Sequence, residues 1–216
     1  MPPHRLLAAS AAAVLLAALI TVVTLRDGVP FGIDRALHDW TLENRTAGGI
    51  DVFRFITDTG NRVVPYLLAI TAGVLTVPRA WLLGAVAGVG ALATAQFLRY
   101  LLVNAVDRPR PPEEHWHAHV NNPAMPSGHA TTSALAAIGL AAALLPYCHR
   151  VATRALAIAV PAAWAVAVGA SRVYLGVHWP TDVLAGWLLA TMLTCLALPP
   201  LGRALNRRQV RPAPRP

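Results

Sequence analysis

The chain is predicted to be an all-α polytopic membrane protein, a single membrane-embedded domain built as a bundle of six transmembrane helices. Three observations predict this. Of its 216 residues, 56% are hydrophobic and only 13% charged. Apolar runs recur along the chain at close to the roughly 20 residues that a helix needs to cross a hydrocarbon core. Connections whose only Arg, Asp or Glu residues are arginines alternate with connections that hold the acids and several further arginines, as expected when the chain crosses a bilayer repeatedly.

The spans are expected at about 6–25, 63–77, 81–103, 128–146, 152–170 and 183–201, the second short and the fourth interrupted near Pro146. Arg5 ahead of the first apolar run resembles a signal peptide. The run is too long for a typical signal core, though, and no small-x-small site lies between Val14 and Arg26 at its end, so it is expected to stay as a span. Between the first two spans, segment 26–62 carries Phe31, Ile33, Leu37, Trp40 and Leu42, then Ile50, Phe53, Phe55 and Ile56, with charges interspersed. This patterning predicts one or two amphipathic helices at the outer interface, forming a substrate vestibule or simply packing there. The single domain therefore reads as an N-terminal span and interfacial segment (1–56), a helical core (57–201) and an Arg/Pro-rich tail (202–216).

Charge orients this bundle. With the N-terminus in the cytoplasm, the inner segments hold Arg5, Arg79, Arg150, Arg154, Arg203, Arg207, Arg208, Arg211 and Arg215, and every acidic residue from Asp27 to Asp182 falls on the outer side. The net charge of +8 and pI of about 10.9 are thereby assigned to topology and to anionic lipid heads, not to nucleic acid. All 18 basic residues are arginine, which together with the abundant Ala and Val points to a GC-rich bacterial genome. The expected location is a bacterial inner membrane, with the outer segments facing the periplasm or exterior. Cys148 and Cys195 form no disulfide framework.

Three segments carry chemistry, and all three fall on the outer face. Asp107-Arg-Pro-Arg-Pro-Pro112 holds Arg108 and Arg110 on a proline-stiffened chain, suited to bidentate phosphate contact or to an interfacial stop. In Pro126-Ser-Gly-His129, Ser127 stands where a helix N-cap belongs. Gly128 lets the backbone approach closely, and unpaired N–H groups at such a terminus face an anion, with the Ser127 hydroxyl as a further donor and His129 alongside. In Ser171-Arg-Val-Tyr-Leu-Gly-Val-His178-Trp-Pro-Thr-Asp182, Pro180 starts the last span. Asp182, four residues after His178, comes within one turn of the imidazole and can accept its Nδ1–H, leaving Nε2 as a nucleophile. A structural His–Asp cap is the alternative, but it does not explain why Arg172 and the Ser-Gly-His turn share that face.

The Pro126-Ser-Gly-His129 turn, and Ser171-Arg172 with five residues before His178 and three more before Asp182, resemble the second and third signatures of the type 2 phosphatidic acid phosphatase superfamily. That superfamily also contains vanadium-dependent haloperoxidases, which are soluble. The resemblance covers about residues 57–200. Its first signature, Lys, six residues, then Arg-Pro, matches at Arg110-Pro111, but the lysine position falls on Val103, and counting from Arg108-Pro109 it falls on Leu101. Arg99, one helical turn before Val103, either reaches the site in the lysine's place or anchors the third span.

The resemblance implies a six-helix bundle in which His178 attacks phosphorus, Asp182 orients it, and His129 protonates the leaving oxygen and later activates water. It also implies that Arg110, Arg172, Ser127 and the Gly128 N–H hold the phosphate oxygens; Arg108 is a further candidate beside them, and Arg99 another if it stands in for the lysine. It implies a lipid phosphate substrate such as phosphatidic acid, phosphatidylglycerol phosphate or a polyprenyl diphosphate. A phosphotransferase passing the phosphoryl group to another acceptor, and a silent lipid-binding or transport scaffold, are the alternatives. No metal and no cofactor are expected. His115, His117 and His119, alternating in the outer loop, are read as contacts to a headgroup or to solvent.

Overall fold

The computed structural model describes residues 3–61 and 63–210, with side chains described as far as Ala197. Eight α-helices follow one another: α1 (Pro3–Leu25), α2 (Gly32–Asn44), α3 (Ala47–Thr59), α4 (Val63–Thr76), α5 (Trp81–Val106), α6 (Gly128–Leu144), α7 (Val151–Tyr174) and α8 (Pro180–Val210). Among the described residues there is no strand. Five helices are long and apolar enough to cross a membrane: α1, α5 with its preceding turn, α6 with the turn after it, α7, and α8 as far as Ala197. The sixth expected span is α4, whose 14 residues give about 21 Å of helix, short of a hydrocarbon core of roughly 30 Å. The six-helix bundle is thus five full spans and one short apolar helix. The interruption expected near Pro146 is a 3₁₀ turn at Leu145–Tyr147. Of the tail arginines, Arg203, Arg207 and Arg208 fall on α8, while Arg211 and Arg215 lie outside the described residues.

The bundle inverts the pattern of a water-soluble protein. Leu7, Val14, Val86, Phe97 and Val160 are each at least 60% exposed and stand on the outside, where lipid rather than water is the natural solvent. Inside, small residues bring backbones together: a Cβ on Gly73 of α4 would lie 1.9 Å from the carbonyl oxygen of Gly84 on α5, so this hairpin closes only around glycine. The most enclosed helix is α6, where Ala130 through Ala137 are all buried, with α4, α5, α7 and α8 around it. One apolar cluster joins Ala69, Leu92, Ala95, Ala134, Leu135 and Ala190, and a second joins Leu16 and Val23 of α1 to Ala185 and Leu189 of α8.

Helix directions alternate, so the end of α1, the start of α4, the end of α5, the start of α6, the end of α7 and the start of α8 all meet at one end of the bundle. Cross-links between the connections confirm it: the Ala124 N–H donates to Arg108, His117 N–H to Leu175 and Ser127 N–H to Asp182, all to carbonyl oxygens. The amphipathic segment after α1 forms the two helices α2 and α3 over this end. Their inward residues Asp34, His38, Thr41 and Thr57 are polar and buried, which simple interfacial packing does not require.

Candidate active site

His178 stands in the tight connection between α7 and α8. Gly176 makes the turn at φ +74°, and a Cβ there would lie 2.3 Å from the His115 carbonyl oxygen, so both the dihedral and the space require glycine. The Val177 N–H donates back to the Arg172 carbonyl, and α8 then starts at Pro180, as its fixed φ favours. The first turn of α8 carries Asp182 under the imidazole. Its Oδ2 accepts from the Trp179 N–H at 2.8 Å and lies 3.4 Å from His178 Nδ1, while its Oδ1 accepts from Arg108 Nη1 at 2.6 Å.

On the other side of the ring, Arg110 Nη1 lies 3.0 Å from His178 Nε2. A guanidinium only donates, so Nε2 must present its lone pair and the ring proton sits on Nδ1, facing Asp182. Arg110 is itself held by the Asn122 carbonyl at 2.7 Å, Asn122 Oδ1 at 2.8 Å, the Pro123 carbonyl at 3.2 Å and the Val177 carbonyl at 2.5 Å. Burial pushes Arg110 down to about 10, against the pull of Asp182. Burial, followed by the charges of Arg110 and Arg172, holds His178 well below the ordinary histidine range. His178 is therefore a neutral imidazole with Nε2 unprotonated.

The α6 N-terminus faces the same place. Ser127 occupies the N-cap position in an extended conformation, but its hydroxyl makes no capping bond, which departs from an ordinary serine cap. The first N–H to turn back into the helix is that of Thr131, onto the Ser127 carbonyl, so the donors ahead of it have no intrahelical acceptor. Ser127 Oγ and Arg172 Nε are buried without a hydrogen-bond partner in the protein. Arg172 is 2% exposed and fixed through Nη1 to Thr57 Oγ1 at 2.7 Å. Arg99 Nη1 donates to the Pro126 carbonyl at 3.2 Å, and a Cβ on Gly128 would lie 3.1 Å from that same nitrogen. His129 lies within Coulomb range of Arg172, Arg110 and Arg99. A cavity of about 670 Å³ opens beside it, lined by His129, Arg172, Thr57, Asp58, His117 and His119 among others.

Eight of the nine residues singled out in the sequence gather here: His178, Asp182, Arg110, Ser127, Gly128, His129, Arg172 and Arg99. Arg108, grouped with the phosphate ligands in the sequence, is surrounded by acceptors of the protein itself. Its guanidinium is enclosed by Asp34 Oδ2 at 2.8 Å, Asp182 Oδ1 at 2.6 Å, Thr181 Oγ1 at 2.7 Å and the Gly28 carbonyl at 3.3 Å, so its charge is spent inside the protein. Val103 is fully buried, and the cation one turn earlier, Arg99, is the one at the Ser-Gly-His turn. His115 turns away to pair with His38, Nδ1 to Nε2 at 3.0 Å, while His117 and His119 line the cavity. Among the described residues no three His, Cys, Asp or Glu side chains are grouped as metal ligands would be. Asp34 and Thr57 were not legible as site residues: nothing local distinguishes Asp34 from Asp27 or Asp39, or Thr57 from Thr59.

This architecture defines a polytopic, all-helical membrane protein whose polar end concentrates arginines and histidines around one helix N-terminus. Residues 81–202, more than half of the chain, match the PAP2 superfamily, and the chain belongs to that family. The solved structure of a transmembrane PAP2-type phosphatidylglycerolphosphate phosphatase from Bacillus subtilis has the same fold, with a TM-score of 0.73 at 23% identity over 94% of this chain and 98% of that one. Its curated relatives are lipid phosphatases. They include phosphatidylglycerophosphatase B of Escherichia coli (40% identical over 90 residues, 38% of this chain and 32% of that protein). The decaprenylphosphoryl-5-phosphoribose phosphatase of Mycobacterium tuberculosis is 29% identical over 145 residues, 64% of this chain and 73% of that protein. An undecaprenyl-diphosphatase of Sulfolobus acidocaldarius is 59% identical over 34 residues, 16% of each chain. The match thus spans only about a sixth of the Sulfolobus protein and a third of the Escherichia one.

Proposed function

We propose that this protein is a metal-independent phosphatase of lipid phosphates or diphosphates, working through a phosphohistidine. The observation that carries the reading is an unprotonated His178 Nε2, accepting from Arg110, close to Arg172 and to the unpartnered donors Ser127 Oγ and Arg172 Nε by the α6 N-terminus. A nucleophile and an oxyanion-binding set at one point are what in-line phosphoryl transfer needs.

His178 Nε2 forms a bond to phosphorus as the bond from phosphorus to the lipid oxygen breaks, and His129 gives that oxygen its proton. His129 then takes a proton from water, the water oxygen bonds to phosphorus, and the P–N bond breaks to release inorganic phosphate and restore His178. Asp182 faces the Nδ1–H and balances the charge that appears on the ring. Arg110, Arg172, Ser127 and the first N–H groups of α6 take the phosphate oxygens, with Arg99 behind them. The arginines supply the positive charge that a metal would otherwise contribute. The names of its relatives support a substrate with a lipid chain, and the lipid-facing walls of the bundle suit one arriving from the bilayer.

The test is phosphate release from a panel of lipid phosphates by purified protein in detergent. Activity should persist in excess chelator and be inhibited by vanadate, and His178→Ala should abolish both turnover and any acid-labile phosphoenzyme. Substantial hydrolysis by His178→Ala would sink the scheme. Phosphate appearing on an added acceptor in preference to water would make the protein a phosphotransferase.

A further inference from the structure

Resting on that reading, we propose that Asp34, on the amphipathic helix α2, is a positioning residue for the reaction, acting on His178 through Arg108 and Asp182. The four groups form an unbroken series. Asp34 Oδ2 accepts from Arg108 Nη2 at 2.8 Å, Arg108 Nη1 donates to Asp182 Oδ1 at 2.6 Å, and Asp182 Oδ2 faces His178 Nδ1 at 3.4 Å. The side chains of both carboxylates and of the guanidinium are 0% exposed, so no solvent screens them. Asp34 is held from its other sides by the Thr181 N–H at 3.0 Å, the Thr181 hydroxyl at 2.8 Å and the Phe31 N–H at 3.1 Å. Thr181 also accepts from Arg108 Nη1 at 2.7 Å, which closes the ring of contacts.

The charge count gives this arrangement its purpose. Arg108 alone beside Asp182 would make a neutral pair, leaving nothing to offset a positive imidazole. With Asp34 on the far side of Arg108, the Asp34–Arg108–Asp182 set carries one net negative charge on the Nδ1 side of the neutral ring, while Arg110 stands on the Nε2 side. That negative charge offsets the positive ring that forms when His178 bonds to phosphorus. Asp34 thus favours the reacting state over the resting one, and differential stabilisation of that kind raises turnover rather than affinity. It also ties α2 to the start of α8, which carries Asp182.

The test compares Asp34→Asn, Arg108→Gln, the double variant and Thr181→Val as purified full-length proteins in detergent, with His178→Ala as control, reading kcat, KM and inhibition by vanadate. Asp34→Asn should lower kcat roughly 10- to 100-fold, as loss of a supporting group around a reactive one typically does, with KM unchanged and inhibition by vanadate, which occupies the reacting state, weakened alongside kcat. In the Arg108→Gln background the same substitution should lose most of its effect, since the route to Asp182 is gone. Thr181→Val, isosteric and charge-neutral, should lower kcat in the same direction, and it carries the test if Asp34→Asn is not monodisperse. Unchanged kcat in Asp34→Asn, a rise in KM in place of the loss of kcat, or an undiminished Asp34→Asn effect in the Arg108→Gln background each overturn the proposal. Turnover surviving in His178→Ala would instead overturn the reading on which it rests.

Discussion

A single proton governs the centre of the site. Arg110 forces the lone pair of His178 onto Nε2, so the Nδ1–H must face Asp182, and Asp182→Asn presents that face with an amide able to favour the wrong tautomer. We expect this variant to keep its substrate affinity and lose kcat by about 10⁴-fold, the scale seen when the same change is made in a Ser-His-Asp triad. A matching rise in KM would show that Asp182 acts in binding instead. The proton also sets a pH dependence. In the folded protein His178 titrates well below 6.5, whereas the unfolded chain titrates near that value. The stability gained from keeping the ring neutral is therefore fully present above about 6.5 and declines as the pH falls below it. The nucleophile stays a free base through the same window, so the acid limb of kcat/KM should have its midpoint below 6.5. A midpoint above 6.5 in a profile from about pH 5 to 8 would exclude His178 as the group responsible. The sequence shows the His178–Asp182 pair because its spacing is one helical turn. It does not show what Arg108 does, because both carboxylates that hold it are 74 residues away along the chain.

At the level of elements, the helices were legible wherever lipid selects apolar side chains, which covers α1, α5, α6, α7 and α8. The two helices that close the site were legible as amphipathic, but their purpose was not. Burial of Asp34, His38 and Thr57 depends on what packs over them, and no local periodicity carries that. The clearest case is α3 against α7, where Thr57 Oγ1 accepts from Arg172 Nη1 at 2.7 Å and Thr59 Oγ1 accepts from Trp164 Nε1 at 2.9 Å. Gly60, next along the chain, allows no Cβ, which would lie 2.3 Å from Val168 Cγ1. Thr57→Val keeps the shape and removes the acceptor, leaving a buried charged donor unpaired, a change that typically costs about 1–3 kcal/mol. Arg172 would lose its fixed orientation. We expect kcat/KM for a lipid phosphate, measured where the variant is fully folded, to fall roughly tenfold or more, since about 1.4 kcal/mol corresponds to a factor of ten, beside a drop of about 2–4 °C per kcal/mol in the thermal unfolding midpoint. If the loss of activity only tracks a loss of thermal stability, α3 merely covers the site and does not aim Arg172.

For the whole molecule, the question is which side of the membrane the polar end faces. The bundle gathers the connections holding every acidic residue at the end that carries the site, and leaves Arg79, Arg150 and Arg154 at the opposite end. If the excess of arginine over acidic residues sets orientation, the end free of acidic residues is cytoplasmic and the site faces outward. The geometry makes this testable with two positions of known exposure. Glu113, exposed in the loop between α5 and α6, lies at the site end, and Val151, 85% exposed at the start of α7, lies at the other. Cys148 sits three residues from Val151, so both native cysteines must first be replaced, Cys148 by Ser and Cys195 by Ala. In that background a membrane-impermeant thiol reagent applied to intact cells should label Glu113→Cys and spare Val151→Cys, and both should react once the cells are permeabilised. The reverse pattern would turn the bundle over and place the site in the cytoplasm. A lipid phosphate made in the inner leaflet could then reach the site without crossing the bilayer, whereas outward orientation requires the substrate to be translocated first.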